Sequence, residues 1–163
     1  MTSLRPAVRK FWLVLHLLSG GTWIGVDVVV AVLVAAGRLG GSPARRGLAY
    51  EALGTFVISP MLTSALVCLL SGVVLGWYGK WGLLRYWWVA VKLALNLVLC
   101  TLIVVLLRPG MADVRAYGAA LTTGTPTVID VSSLVFPPTV SLSTLALATV
   151  LGVYKPWGRV RRR

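Results

Sequence analysis

Acidic residues are nearly missing from this sequence. Its 163 residues hold four, Asp27, Glu51, Asp113 and Asp130, against sixteen Lys and Arg. No paired-carboxylate signature, phosphate loop or Ser-His-Asp arrangement occurs, which leaves the common hydrolytic and phosphoryl-transfer chemistries without residues to carry them. Histidine occurs once, His16, and cysteine twice, Cys68 and Cys100. A zinc or copper centre wants three or four ligands of suitable type. His16, Cys68, Cys100 and Met61 are scattered along the chain without ligand spacing, so a self-contained metal centre is not expected. Both cysteines fall inside apolar runs and read as small core hydrophobes, not as a disulfide framework. Charge of either sign is scarce, with 12% charged residues against about 25% in soluble domains.

What fills the space is hydrocarbon. The chain is 58% hydrophobic and carries a net charge of +12. Such a charge suggests nucleic acid, but the basic residues punctuate long apolar runs and build no contiguous basic face. A spanning helix needs about 20 apolar residues, and the chain holds four such segments. The expected architecture is all-α: one polytopic membrane domain over 1–163, a bundle of four transmembrane helices at about 11–36, 50–77, 87–107 and 132–154. The first run, Phe11 to Ala36, exceeds the roughly 7–15 residues of a signal-peptide core and is expected to be retained as a helix. It stops at a glycine and proline break, Gly37 to Pro43. The second helix carries Pro60 in its upper part, which a membrane helix tolerates when neighbours satisfy the freed carbonyl. The third stops at Arg108-Pro109-Gly110. Residues 108–131 are expected to form the one long loop, and 155–163 a basic tail. Pro137-Pro138 either kinks the fourth helix or opens its first turn.

Orientation follows from the basic residues. With four crossings, the N-terminus (Arg5, Arg9, Lys10), the second connection (Lys80, Arg85) and the tail (Lys155, Arg159, Arg161, Arg162, Arg163) share one side. The other side has Arg38, Arg45, Arg46, Arg108 and Arg115. Ten against five puts both termini in the cytoplasm. Trp12, Trp77, Trp81, Trp87, Trp88 and Trp157 fall at the same inner boundary, where indole rings favour the interface. The basic tail is expected to touch anionic headgroups and anchor the topology.

Ionisable groups inside a spanning helix are costly and mark candidate functional sites. His16, Gly20, Trp23 and Asp27 recur at i, i+4, i+7 and i+11 and share one face of the first helix. Lys92 and Asn96 share a face of the third. His16 and Lys92 lie equally deep, roughly 8 Å in from their helix starts, on helices running in the same direction. The candidate polar core is therefore His16, Trp23, Asp27, Lys92 and Asn96. Asp27 lies about 16 Å further along its helix than His16, and is expected to cap or to pair with an outer arginine. Lys92 either joins His16 or snorkels its amine to the headgroups. Gly21 with Gly25, and Gly72 with Gly76, are G-x-x-x-G pairs that permit close helix approach. No inverted repeat or pair of broken helices marks a solute carrier.

Three stretches carry a resemblance. Leu15 to Gly25 (LHLLSGGTWIG), Trp81 to Leu93 (WGLLRYWWVAVKL) and Val153 to Gly158 (VYKPWG) resemble uncharacterised four-helix integral membrane proteins of actinobacteria. His16, Trp23 and Gly25, together with Trp88, Lys92 and Leu93, are more distantly similar to the bacterial membrane protoporphyrinogen oxidases and the copper-resistance D family. That similarity implies haem binding, with His16 as an axial ligand and Lys92 as its charge partner. The departures are the stretch Val26-Asp27-Val28-Val29-Val30, where those oxidases carry a basic residue, and a third helix without histidine. The expectation is an integral plasma-membrane protein without a demonstrated activity, serving as a subunit or accessory of a membrane assembly. The alternative is a haem- or porphyrin-handling oxidoreductase built on His16 and Lys92.

Overall fold

The computed structural model describes residues 5–79, 82–125, 129–155 and 158. Lys80, Trp81, Trp157 and the tail residues Arg159 and Arg161 to Arg163 lie outside them.

Among the described residues the fold is all-helical, with four helices long and apolar enough to cross a membrane. The first, α1, runs Pro6–Leu39. Its 34 residues extend about 51 Å at 1.5 Å per residue, well beyond a hydrocarbon core of about 30 Å. The second rod is α2 (Pro43–Phe56) followed by α3 (Ile58–Tyr78). The third is α4 (Trp87–Leu102), a five-residue π segment (Ile103–Leu107) and α5 (Arg108–Thr123). A 3₁₀ turn (Ser132–Val135) leads into α6 (Phe136–Tyr154).

Two expectations are corrected. The second helix starts at Pro43, not near Tyr50, because Ser42-Pro43 is a helix start as well as a break. Ser42 Oγ accepts the Arg45 N–H at 3.3 Å, and proline suits the first helical position. The rod breaks at Val57 because Pro60, three residues on, lacks the N–H that would reach the Phe56 carbonyl and crowds it. The second correction concerns 108–131. Its first two-thirds is not a loop but α5, capped by Gly124 at φ 74°, a left-handed conformation that glycine adopts without penalty. Pro109 does not end the helix because the π turn just before it widens the backbone. The Arg108 N–H reaches back five residues to the Ile103 carbonyl, so the ladder is already out of α register where proline would break it. Pro137 and Pro138 open α6 in its first turn and do not kink it.

The α2 and α5 segments are too polar to be spans and form an antiparallel pair at one end of the bundle. Their backbones touch. A β-carbon at Gly118 would stand 2.5 Å from the Glu51 nitrogen, one at Gly47 2.5 Å from the Gly118 carbonyl oxygen, and one at Gly54 2.5 Å from the Met111 carbonyl oxygen. Beside the crossing, Tyr50 and Tyr117 pack with ring centroids 5.4 Å apart. The end of α1 joins them, since a β-carbon at Gly37 would lie 2.6 Å from the Tyr50 ring, and Arg46 Nε donates to the Gly37 carbonyl at 3.0 Å. Close approach was expected at Gly21 and Gly25, but both are exposed and have open space where a β-carbon would be. Gly72 and Gly76 do lie against neighbours, the His16 ring and Leu83.

The core runs the length of the bundle through Trp23, Val30, Val34, Leu53, Met61, Ala65, Leu99 and Ile103. Around it the helices show apolar side chains outward, among them Leu17, Leu18, Val29, Val32, Leu70, Val105 and Val153. A soluble bundle would cover that face with charge. Trp12, Trp77, Trp87 and Trp88 lie at the ends of α1, α3 and α4 away from the α2/α5 pair.

Candidate functional site

Polar side chains gather at two levels. The level away from the α2/α5 pair holds His16, Lys92 and Asn96. His16 Nδ1 lies 3.0 Å from the Cys68 carbonyl oxygen. A carbonyl only accepts, so Nδ1 carries the proton and donates. Ser71 Oγ, 3.1 Å from Nδ1, is a second acceptor, because its own hydrogen goes to the Val67 carbonyl at 2.6 Å. Ser19 Oγ donates to the His16 carbonyl at 3.1 Å, and the Cys100 thiol to Asn96 Oδ1 at 3.3 Å. Lys92 crosses to α6, where a β-carbon at Gly152 would lie 3.0 Å from Nζ. Its ammonium acts electrostatically on both His16 and Cys68. Cys68 and Ser71 thus stand beside the His16 ring and Gly152 beside Lys92 Nζ, neighbours that sequence spacing did not reveal.

The other level holds Asp27, and here the outer-arginine expectation fails. Asp27 is 0% exposed, and its Oδ2 accepts from Ser141 Oγ of α6 at 2.5 Å. The nearest arginine on its own helix, Arg38, is eleven residues on, about 16 Å along the axis. Among the described residues Oδ1 has no hydrogen-bond partner, and neither does the buried Nε1 of Trp23, one turn earlier. Asp27 and Ser141 line a partly open cavity of about 590 Å³ between α1, α3, the α4–π–α5 rod and α6. Its wall is hydrocarbon from Met61, Leu99, Ile103, Leu107 and Met111. Asp113 and Asp130, both exposed, stand at its rim. Ser132 holds Asp130 below the usual carboxylate range, with its backbone N–H donating to Oδ1 at 2.9 Å. Three of the four acids in the chain thus border one cavity, and among the described residues no Lys, Arg or His lines it. Sequence reading left Asp113 and Asp130 in a loop. The missed signal was Met111, Val114, Gly118 and Leu121, apolar or small residues at helical spacing.

The five candidate residues therefore divide. His16, Lys92 and Asn96 belong to one level, and Trp23 and Asp27 to the other. Among the described residues no group of three or more His, Cys, Asp or Glu is placed to hold a metal ion. Haem fits poorly. The Nδ1–H bond to a carbonyl is one that a ligating histidine often makes, but the His16 ring is packed against the α3 backbone, with a β-carbon at Gly72 only 3.1 Å from Cε1. The 590 Å³ cavity is bordered by Asp27 and not by His16.

No family model matches the chain, and no curated protein or solved structure matches it either.

Proposed function

We propose that this chain is a four-crossing plasma-membrane protein with both termini in the cytoplasm, and that it receives a small ligand in the Asp27 cavity. It serves as a binding subunit or accessory of a membrane assembly and not as a redox enzyme centred on His16. The kinship with the uncharacterised actinobacterial four-helix proteins is part of this reading. The topology is supported by ten basic residues against five and by the tryptophans gathered at one end of the bundle. The cavity would then open outward, beneath the α2/α5 pair. The observation that carries the binding role is the unpartnered oxygen of a fully buried carboxylate bordering about 590 Å³ of mostly apolar space. Pockets of roughly 300–1,000 Å³ hold small molecules, and buried polar atoms without partners are rare enough to need a reason.

The cavity can be filled without disturbing its walls. Gly110 borders it and has open space where a β-carbon would be. In phosphatidylcholine nanodiscs, the neutral probe 1-naphthylmethanol is expected to bind saturably to the wild-type protein and not to Gly110→Trp. Absence of saturable binding by this probe and by its ammonium analogue would overturn the binding role. A reporter fused after Arg163 is expected to be active only inside the cell, and activity only outside would reverse the topology. Protein purified from cells fed a haem precursor is expected to be colourless. A Soret band lost in His16→Ala would favour the haem reading instead.

A further inference from the structure

We propose that the Asp27 cavity is selective for a small organic cation, an apolar body carrying a protonated amine whose N–H donates to Asp27 Oδ1. This rests on the binding role proposed above and names the class of ligand.

Three features point to that class. The first is the unpartnered oxygen. Ser141 occupies Oδ2, which leaves Oδ1 requiring one more donor, and an unpaired charge in so apolar a place is expensive. An ammonium supplies both the hydrogen bond and the countercharge. The second is the distribution of charge. In a chain of net charge +12, three of four acids border this one cavity and, among the described residues, no basic side chain does. Asp113 and Asp130 at the rim lie where an arriving cation would first meet the protein, and Asp27 lies where it would come to rest. Carboxylates at a low-dielectric mouth concentrate cations. The third is the wall. Beyond Asp27 and Ser141 the deep lining is Met61, Leu99, Ile103 and their neighbours, which offer a bare metal ion almost no oxygen. Calcium takes six to eight oxygen ligands, and the deep end supplies side-chain oxygens from Asp27 and Ser141 alone. A hydrocarbon or aromatic body suits the wall, and an amine suits the acid.

The test compares two probes of nearly equal size, 1-naphthylmethylamine, which is protonated at neutral pH, and 1-naphthylmethanol. Binding is read by equilibrium dialysis against the full chain in phosphatidylcholine nanodiscs, with empty nanodiscs subtracted. The amine is expected to bind at least about tenfold more tightly than the alcohol, the scale of one hydrogen bond to a charged group. Asp27→Asn is expected to abolish the preference, the amine losing more affinity than the alcohol. If that variant does not fold, the wild-type probe comparison still decides. The exposed rim variant Asp113→Asn adds a second measure and is expected to weaken the amine about twofold at low salt, an effect that high salt removes. Equal affinities for the two probes would overturn the cation class, because a neutral carboxylic acid at position 27 would treat them alike, yet would leave the cavity a binding site. Competition of the amine by sodium or potassium chloride, but not by choline chloride at equal ionic strength, would also overturn it, in favour of an inorganic ion. Saturable binding of neither probe would overturn the binding role itself.

Discussion

The two polar levels of this bundle satisfy their buried groups in opposite ways. Around His16, the imidazole proton, the Ser71 hydroxyl and the Cys100 thiol each have an acceptor within the same few turns of α1, α3 and α4. Around Asp27, one oxygen has Ser141 and the other has no hydrogen-bond partner among the described residues, in a side chain that borders a cavity. A satisfied network specifies how helices pack. An unsatisfied one persists at a cost in stability, and such costs concentrate where a protein must bind something. The sequence similarity pointed to the first level as the seat of chemistry. The hydrogen bonds tie the His16 imidazole into the helix packing, and the proposed binding role puts the functional weight on the second level.

Substitutions should separate the two levels by the size and sign of their effects. The largest effect is expected at the α2/α5 crossing, which roofs the Asp27 level. Gly118→Val would drive a side chain into the Glu51 backbone. It is expected to cost about 3 kcal/mol, the upper range for overpacking, read as thermal unfolding in a fixed detergent. Wild-type stability in that variant would mean the two helices do not meet there. Next is His16→Ala, which strips the Cys68 carbonyl and Ser71 of their shared donor and leaves a gap. A loss of about 2 kcal/mol is expected. An unchanged unfolding curve would show the node to be idle.

Asp27→Asn should go the other way. Removing a buried charge that has no cation beside it is expected to stabilise the ligand-free protein by about 1 kcal/mol, while cation preference is lost. Destabilisation in the absence of ligand would mean that Asp27 is a packing residue like His16, and the contrast between the levels would collapse.

The smallest effect belongs to Tyr50, whose buried hydroxyl has no hydrogen-bond partner among the described residues. Tyr50→Phe is expected to change stability by less than about 0.5 kcal/mol at neutral pH. Burial, and then Tyr117, push the phenol above its usual value, while Arg46 and Arg38 act against them. The folded protein therefore keeps this proton when the unfolded chain has lost it. Stability should fall as pH rises through the unfolded value of about 10, and Tyr50→Phe should remove that part of the fall. An identical alkaline profile in both proteins would count against this burial.

Much of this was legible in the chain. Runs such as Phe11 to Ala36 can be little other than long apolar helices, and the i, i+4, i+7, i+11 spacing from His16 to Asp27 defines a face without any structure. Depth was legible too, because rise per residue is nearly constant, and so His16 and Lys92 were placed together. What spacing along one helix does not carry is the rotation of its neighbours. Ser141 and Ser71 are ordinary hydroxyls in apolar runs until α6 and α3 are turned to face α1. Residues 108–131 misled because Pro109-Gly110 is a stop signal in a regular α-helix, and the π turn that removes the conflict has no sequence signature of its own. Gly47 and Gly118 read as loop composition because the helical turns that carry them had not been recognised, and Gly54 lay in the expected second helix with no partner helix to explain it.

The contrast between an open acidic level and a closed one can be measured in one experiment. Ser133 borders the cavity and is exposed, whereas the native Cys68 is buried beside His16. Right-side-out vesicles carrying Ser133→Cys would be treated from outside with two thiol reagents of opposite charge, methanethiosulfonate ethyltrimethylammonium and the corresponding ethylsulfonate, with rates corrected for intrinsic reactivity. The cationic reagent is predicted to modify the introduced thiol about tenfold faster or more, with Cys68 unmodified by either. Equal corrected rates at position 133, or labelling of Cys68 as fast as of the introduced thiol, would contradict the account.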